Sequence, residues 1–232
     1  VDTPRGAVAA PVVVDAAGAW ARSLAGGCGS QAPVVDVRHQ FAISAPVAGI
    51  EAGMPITRII DASAYARPWA GGIMYGSFEA APVALDPGEG AWGIGDLELD
   101  AAVPSAAGAS IAPQIPAIRG ARVAEVRGGL LTMTPDARFL AGPSPDVAGL
   151  WINTGCNGSG FSFAPAIGEA LASWILAGEP TTDMAAFDPR RFAGRSFRAD
   201  DLRRAGLWQY ANYYTPPDVA AASGISGVDA AG

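Results

Sequence analysis

Residues 150–178 read LWINTGCNGSGFSFAPAIGEALASWILAG and carry most of the information on the fold. The apolar run LWINT predicts a β-strand, and the glycines after it predict a tight turn. A helix is predicted from Pro165 to Gly178, with Ser162 as its cap, Pro165 in its first turn and Gly178 as its stop. A strand, a glycine turn and a helix in this order can hold a negatively charged group on backbone amides. The predicted buried face of the helix consists of Ile167, Ala170, Leu171, Trp174 and Ile175.

The composition of the 232 residues limits the class of protein. Half of the residues are hydrophobic and 16% are charged, which predicts a folded core in one large domain or two small ones. The net charge of −7 argues against a nucleic acid or an anionic membrane as partner. Every basic residue is an arginine, so the chain has neither a Schiff-base lysine nor a P-loop lysine.

Metal-dependent and hydrolytic chemistry find little support in the sequence. His39 is the single histidine, and Cys28 and Cys156 lie far apart, so no metal site is predicted. Ser159 lies between glycines, but the spacing differs from that of a hydrolase nucleophile elbow. We expect His39 to be a hydrogen-bonded strand histidine rather than a catalytic base.

The sequence predicts a cytoplasmic protein. No apolar stretch is expected to reach the roughly 18 residues of a membrane span. The first residues do not resemble a secretory signal, because no basic segment precedes a long apolar one. Two cysteines without an obvious partner fit a reducing compartment.

The rest of the chain predicts alternating structure types. Small residues separate a β-branched run at 12–14 from an amphipathic helix that places Trp20 and Leu24 on one face. Residues 34–45 alternate like a half-buried strand. A closely spaced group of strands, which favours an antiparallel sheet, follows at 56–61, 63–68 and 72–79. Further on come a helix at 105–119 that Pro113 and Pro116 interrupt, and a strand at 121–127.

Three stretches carry a family resemblance. Residues 12–20 (VVVDAAGAW), 65–79 (YARPWAGGIMYGSFE) and 128–192 resemble the FAD-dependent amine and amino-acid oxidoreductases of the D-amino-acid oxidase superfamily. This superfamily includes glycine oxidase, sarcosine oxidase and the dimethylglycine dehydrogenase type. The resemblance implies an α/β fold with an α+β insert. The chain would be the carboxy-terminal part of a glutathione-reductase-type FAD-binding domain plus an antiparallel-sheet substrate domain.

The resemblance also implies a division of the chain. Residues 1–33 and the return segment 121–192 would belong to the FAD-binding domain, and residues 34–120 to the antiparallel-sheet substrate domain. Residues 193–232 would form a tail that is partly disordered. The aromatic residues of the tail are expected to contact a partner chain, because they would otherwise be exposed.

The resemblance implies amine oxidation by hydride transfer to FAD. Asn157, Gly158, Ser159 and Gly160 would polarise the flavin, because their amides and the positive end of the following helix can hold the negative charge of its pyrimidine edge. The alternative is an ordinary strand-to-helix connection without a cofactor. No residue is assigned a certain catalytic role. The implied cofactor contacts are Ala17, Gly18, Trp20, Gly142, Gly155, Cys156, Asn157, Gly158, Ser159, Gly160 and Phe161.

The resemblance places Arg67, Tyr75 and Glu79 on strands that form the substrate-side wall, although solvated sheet residues would also fit the pattern. Leu131 lies where glycine-oxidase-like members carry an arginine that binds the substrate carboxylate. Ser162 replaces the lysine of sarcosine-oxidase-like members, and Ser159 replaces a common histidine. A simple α-amino acid held by these groups is therefore not expected. A secondary or tertiary amine, a bulkier amino-acid derivative, or a carboxylate bound by another arginine all remain open.

The resemblance does not include the amino-terminal G-x-G-x-x-G segment that binds the ADP part of FAD. A separate subunit or an associated cleavage product, a truncated form of a longer enzyme, and a non-catalytic remnant are three explanations. We expect the first, with an amino-terminal FAD-binding chain or fragment and a small amine substrate as partners. The alternative is a structural or regulatory subunit that keeps the fold without the cofactor.

Overall fold

The computed structural model describes residues 1–88 and 92–215 of the chain. Short 3₁₀ turns at Gly18–Trp20, Ile60–Ala62, Ile94–Asp96, Pro116–Ile118 and Pro189–Phe192 join longer elements. In chain order these elements are β1 (Asp2–Thr3), β2 (Gly6–Ala7), β3 (Val13–Asp15), α1 (Ala21–Gly27), β4 (Val35–Ser44), β5 (Thr57–Ile59), β6 (Ala64–Trp69), β7 (Gly72–Ser77), β8 (Ala84–Leu85), α2 (Ala102–Ile111), β9 (Val123–Met133), β10 (Leu140–Pro143), β11 (Leu150–Thr154), α3 (Gly160–Ala177) and α4 (Ala199–Ala211).

The larger sheet is antiparallel and is built around β4. One edge of β4 pairs with β7 and β8, the other edge pairs with β9, and β6 and β5 extend the sheet beyond β7. Helix α2 packs on one face of this sheet and α4 packs on the other. Strand β4 is therefore mostly buried on both faces, more than the predicted half-buried strand. The antiparallel strands predicted at 56–61, 63–68 and 72–79 are confirmed.

The smaller sheet is mixed, in the order β10-β11-β3. Strand β11 is antiparallel to β10 and parallel to β3. Strand β3 lies at an edge, and the side chains of Val12 and Val14 beside and within it are 37% and 45% exposed. Together the two sheets and their helices form an α/β fold.

Strand β9 connects the two sheets. It pairs with β4 along ten positions in the larger sheet, and its carboxyl end reaches the turn that follows β11. The domain boundary predicted between residues 120 and 121 stays a prediction, although this pairing makes β9 part of the antiparallel sheet.

Helices α1 and α2 test two predictions. The helix break at Pro113 is confirmed, since α2 ends at Ile111. The predicted face of α1 is wrong, because Ala21 and Ala25 are buried whereas Leu24 is 49% exposed. The small sheet leaves room only for alanine side chains beneath this short helix.

Helix α3 begins earlier than predicted. Ser159 rather than Ser162 lies at its amino-terminal cap, so Pro165 is inside the helix, and Gly178 ends it in the left-handed conformation as predicted. Ile167, Ala170 and Leu171 are buried, while Trp174 and Ile175 are partly buried.

Within the described residues, α3 passes a test of length and composition for a membrane-crossing helix, contrary to the expectation from the sequence. One such helix is weak support for a span, because core helices of soluble proteins pass the same test. The absence of a membrane partner stays a prediction.

The tyrosines in α4 and in the segment after it point toward the core. Tyr210 is fully buried, and Tyr213 and Tyr214 pack against the cluster between α4 and the larger sheet. The premise that these aromatics would be exposed without a partner is therefore wrong, because the sheet face covers them, and contact of the tail with a partner chain stays a prediction. The predicted low-complexity end, residues 216–232, lies outside the described residues.

Candidate functional site

The turn after β11 has a backbone that favours glycine and asparagine. Gly155, Asn157 and Gly158 have φ angles of 64°, 47° and 78°, all in the left-handed region. A Cβ on Gly155 would collide with the Thr134 methyl group. A side chain on Gly158 would meet the ring of Tyr213 at 3.3 Å. The glycines are therefore required by both conformation and close packing.

Asn157 holds the turn against the end of β9. Its backbone amide donates to the Thr132 carbonyl at 2.9 Å, and its Oδ1 accepts from the amide of Thr134 at 2.9 Å. Its Nδ2 donates to the Gly155 carbonyl at 2.6 Å. Because Asn157 is buried and fully hydrogen-bonded, it fixes the shape of the turn.

The predicted flavin-polarising amides divide into two groups. The amides of Asn157 and Ser159 are engaged, the first with Thr132 and the second with the Cys156 carbonyl at 2.9 Å. The amides of Gly158, Gly160 and Phe161 have no acceptor within residues 1–88 and 92–215. They lie at the amino terminus of the 18-residue helix α3, whose dipole adds partial positive charge. The turn can therefore offer unused amide donors to an electron-rich group. Of the four residues predicted to do so, Gly158 and Gly160 keep a free amide, and Phe161 adds a third, within the described part of the chain.

A second turn lies at the same edge of the small sheet. Because β3 and β11 are parallel neighbours, the turn at Ala17 and Gly18 comes beside the turn at Gly155, and the Thr154 hydroxyl donates to the Gly18 carbonyl at 3.0 Å. Gly18 has a φ of 61° and open space where a Cβ would lie. Ligands of α/β sheets bind at this carboxyl edge. Trp20 lies nearby against Trp92, with ring centroids 5.9 Å apart.

Asp15 ends β3 beneath this second turn. Its Oδ1 accepts from the Ala17 amide at 3.0 Å, and its Oδ2 has no partner among the described residues. Burial raises the pKa of Asp15, and the Ala17 amide opposes that change. A buried carboxyl oxygen without a partner at a ligand-binding edge is a group that a bound ligand can satisfy.

Gly142 and Cys156 have packing roles that the sequence did not indicate. A Cβ on Gly142 would meet Pro189 at 3.0 Å and Trp174 at 3.1 Å, so this glycine lets α3 approach β10. The flavin contact of Gly142 stays a prediction. Cys156 is a free, partly buried thiol whose Sγ lies 3.5 Å from the Thr132 hydroxyl. Phe161 is fully exposed in the first turn of α3.

The four predicted substrate residues do not come together. Tyr75 is 3% exposed in the core under α2, so a substrate role does not fit its position. Glu79 lies 3.9 Å from the Arg38 guanidinium. Burial raises the pKa of Glu79 and Arg38 lowers it. Arg67 stacks on Trp69 at 4.6 Å, and among the four only Leu131 packs near Gly158.

An aromatic cluster that the sequence did not reveal lies beside Leu131. It is centred on His39, whose Nδ1 is 2.7 Å from the Tyr210 hydroxyl and whose Nε2 is 2.8 Å from the Tyr65 hydroxyl. Burial lowers the pKa of His39 to about 4, so the ring is neutral near pH 7. The expectation of a hydrogen-bonded strand histidine is confirmed. Alternation along β6 places Tyr65 opposite the core residues Ala64 and Ala66, which is the signal that could have identified it.

Tyr213 joins this cluster to the turn. Its ring stacks on Phe78 with centroids 4.0 Å apart, and its hydroxyl lies 3.2 Å from Ser159 Oγ. Phe78 in turn lies 5.0 Å from the His39 ring. The substrate-side space next to Gly158 is therefore lined, and partly filled, by the aromatic side chains of Phe78, which follows β7, and of Tyr213 after α4.

Comparison with known proteins gives one family. The family model described as FAD dependent oxidoreductase matches residues 1–174, and the chain belongs to this family. The mitochondrial sarcosine dehydrogenase of Mus musculus is 31% identical over 194 residues, which are 83% of this chain and 21% of that protein. The 4-methylaminobutanoate oxidase (formaldehyde-forming) of Paenarthrobacter nicotinovorans is 33% identical over 205 residues, covering 87% and 24%.

Two further likenesses bear on fold and function. L-proline dehydrogenase from P. horikoshii superposes with a TM-score of 0.69 at 25% identity, covering 82% of this chain and 49% of that one. The pyruvate dehydrogenase phosphatase regulatory subunit of Mus musculus is 27% identical over 83% of this chain and 22% of that protein. The chain thus spans about a quarter or less of these curated relatives. The resemblance drawn from the sequence is confirmed, and FAD is the cofactor of the family.

Proposed function

We propose that this chain is the carboxy-terminal part of a flavin-dependent oxidoreductase that oxidises the C–N bond of an amine or amino-acid derivative. When bound, FAD supplies the acceptor for the hydride from the carbon next to nitrogen. The chain itself would hold the electron-rich edge of the cofactor on the Gly158, Gly160 and Phe161 amides. Another part of the cofactor would lie against the backbone of the turn at Gly18, because nothing occupies the space beside its Cα.

The observation that carries this proposal is the pair of turns at one sheet edge. Unused amide donors at the amino terminus of α3 and an open glycine turn after β3 are the groups that an anionic or electron-rich ligand needs. The family match over residues 1–174 supports FAD as that ligand.

The amino-terminal dinucleotide-binding half would come from another chain or fragment. Strand β3 has a free edge within the described residues, and apolar side chains around the small sheet are exposed. Val14 is 45% exposed, and Phe161 and Leu176 on α3 are 100% and 87% exposed. A strand paired with β3 and its helices would cover this surface. The cytoplasmic location and the absence of a nucleic-acid partner remain predictions.

The test is reconstitution with a segment that carries the G-x-G-x-x-G motif. The chain is co-expressed with that segment, and the purified material is examined by gel and by visible spectroscopy under anaerobic conditions. We expect two polypeptides, flavin absorption, and bleaching by an amine from a panel of secondary and tertiary amines. A single colourless chain would argue against the proposal.

A regulatory subunit without cofactor is the second candidate. Tyr213 and Leu131 partly fill the substrate side of Gly158, and one relative is named as a regulatory subunit. The two candidates differ in a direct observable, because a regulatory subunit of this kind would retain no flavin from the co-expressed material. A titration with free FAD, followed by the quenching of its fluorescence, distinguishes them.

A further inference from the structure

We infer that α4 supplies a positioning residue for the site: Tyr210 fixes the tautomer of His39, and His39 thereby leaves the hydroxyl hydrogen of Tyr65 free to bind a ligand. This inference rests on the proposed function for the identity of the ligand, but not for the direction of the hydrogen bonds.

The direction of the hydrogen bonds follows from the burial of Tyr210. Its side chain is fully buried and the backbone amide of Glu79 donates to its hydroxyl oxygen, so among the described residues the acceptor for the hydroxyl hydrogen is His39 Nδ1, at 2.7 Å. A buried hydroxyl hydrogen without an acceptor is costly. Tyr210 therefore donates to Nδ1, which must be the unprotonated ring nitrogen.

The remaining hydrogen bond is then determined. With Nδ1 accepting, the neutral His39 ring carries its proton on Nε2 and donates it to the Tyr65 hydroxyl oxygen at 2.8 Å. Tyr65, unlike Tyr210, is only partly buried, so the hydrogen of its hydroxyl, which has no acceptor within the described residues, can reach a ligand or water. Tyr65 is thereby left as a donor for an oxygen or a nitrogen of a ligand on the same face of the sheet as Leu131. No arginine occupies position 131 to bind a carboxylate, so such a donor has a clear use.

Helix α4 delivers Tyr210 independently of His39. Leu202 and Ala205 are buried against the sheet, and the Cα of Gly206 lies against the side chain of Val35. The position of the Tyr210 hydroxyl is therefore set by packing one turn away, and the hydroxyl acts on His39 through a fixed geometry. Tyr213 lies further along the same segment and contacts Ser159 rather than His39.

The single histidine makes the test direct. The full chain is labelled with ¹⁵N-histidine, and the two ring-nitrogen shifts of His39 are recorded near neutral pH without need of assignment. We expect a protonated Nε2 and an unprotonated Nδ1. A protonated Nδ1 in the unsubstituted chain overturns the inference. Circular dichroism of each variant verifies that it folds.

Three variants separate positioning from general packing. Tyr210→Phe keeps the ring and removes the donor, so the two nitrogen shifts should move toward each other as both tautomers become populated. Tyr65→Phe should leave Nε2 protonated, because Tyr210 still donates to Nδ1. Tyr213→Phe is the matched control from the same segment and should change neither shift. Unchanged shifts in Tyr210→Phe would contradict the inference.

The flavin-loaded complex gives a second readout. There we expect Tyr210→Phe to lower kcat by about tenfold or more, with a smaller change in KM, as for the loss of an oriented hydrogen-bonding group. Equal effects of Tyr210→Phe and Tyr213→Phe on kcat would reduce Tyr210 to a packing role. Because the nitrogen shifts need no flavin, failure of the proposed function and failure of this inference are told apart.

Discussion

Gly158 connects the conformation of the turn to its chemistry. Its φ of 78° suits glycine, its amide is among the unused donors, and Tyr213 lies over it at 3.3 Å from the place of a Cβ. The Asn157 side chain accepts from the Thr134 amide and donates to the Gly155 carbonyl. These hydrogen bonds fix the turn, so it cannot relax around a side chain at residue 158. Each property would be changed by one added methyl group.

Gly158→Ala should therefore lower both the free energy of unfolding and the flavin content of the reconstituted complex. The strained φ and the contact with Tyr213 predict a loss of about 1 kcal/mol or more in the free energy of unfolding. Chemical denaturation measures that loss, and the flavin absorbance per protein in the reconstituted complex measures the site. Gly168→Ala is the control, since its Cβ meets nothing within 4 Å in α3 and should stabilise the helix by up to about 1 kcal/mol. Full flavin content in Gly158→Ala would contradict the role of the turn.

Asp36 gives a prediction on pH. Burial, together with the charge of Asp86, raises the pKa of Asp36 to about 8 against the opposing effect of Arg22. The folded state thus binds more protons than the unfolded state between about pH 4 and pH 8, and Asp36 makes stability fall as the pH rises through that range. His39 acts oppositely between its unfolded pKa of 6.5 and its folded pKa of about 4, where stability falls as the pH falls.

Asp36→Asn should remove the loss of stability that Asp36 causes between pH 6.5 and pH 8, and the contribution of His39 cancels because both proteins carry it. The difference in unfolding free energy between the variant and the unsubstituted chain should grow in favour of the variant by up to about 1.4 kcal/mol per pH unit. Urea denaturation at half-unit steps of pH measures this difference. Parallel curves for the two proteins would show that Asp36 is ionised in the folded chain.

Helix α4 packs closely on the larger sheet, because the backbone of Gly206 lies against the side chain of Val35. A Cβ on Gly206 would lie 2.6 Å from the Cβ of Val35 in β4. Gly206→Ala should push α4 away from the sheet and lower the free energy of unfolding by about 1–3 kcal/mol. The His39 nitrogen shifts should then change as in Tyr210→Phe, although residue 206 does not touch His39. A destabilised variant with unchanged His39 shifts would show that the packing of α4 at Gly206 does not control the hydrogen bonding of His39.

Most strands and helix α3 could be predicted from the sequence, because local patterns determine them. The spacing of Gly, Pro and Ser between apolar runs gave β5, β6 and β7, and Pro113 gave the end of α2. The start of α3 was misjudged because Pro165 suits a first turn, whereas the cap is the less conspicuous Ser159. The buried face of α1 was misjudged because the helix packs through the small side chains of Ala21 and Ala25, whereas the larger Leu24 lies half exposed.

The candidate site was only half predictable. The turn from Gly155 to Gly160 has a local signature, and the left-handed conformations of Gly155 and Gly158 agree with the predicted tight turn. Which amides are engaged depends on Thr132, a residue of another strand, and no local pattern shows that. The contact between His39 and Tyr210 joins residues 171 positions apart, so only the packing of α4 on β4 reveals it.

The small sheet has an unpaired edge strand and exposed apolar side chains within the described residues. Strand β3 lies at its edge, and exposed apolar side chains surround it. The larger sheet is better covered, since α2 and α4 pack on its two faces. The proposed partner segment should therefore bind on the side of β3.

Val14→Ser should weaken that association without affecting the fold of the chain. Val14 is 45% exposed on β3, so its replacement removes exposed apolar area from the proposed contact. Co-purification and light scattering after gel filtration measure the complex. Ile56→Ser is the matched control, because Ile56 is 70% exposed beside β5 at the far edge of the other sheet. Equal association of both variants would place the partner elsewhere.

The central claim is that the amides at the start of α3 hold an electron-accepting ring. The most direct measurement is the anaerobic visible spectrum of the chain reconstituted with an amino-terminal G-x-G-x-x-G segment, before and after addition of a secondary or tertiary amine. The account predicts flavin absorption that bleaches with the amine and is diminished in Gly158→Ala but not in Gly168→Ala. A colourless complex, or flavin retained equally by both variants, would contradict it.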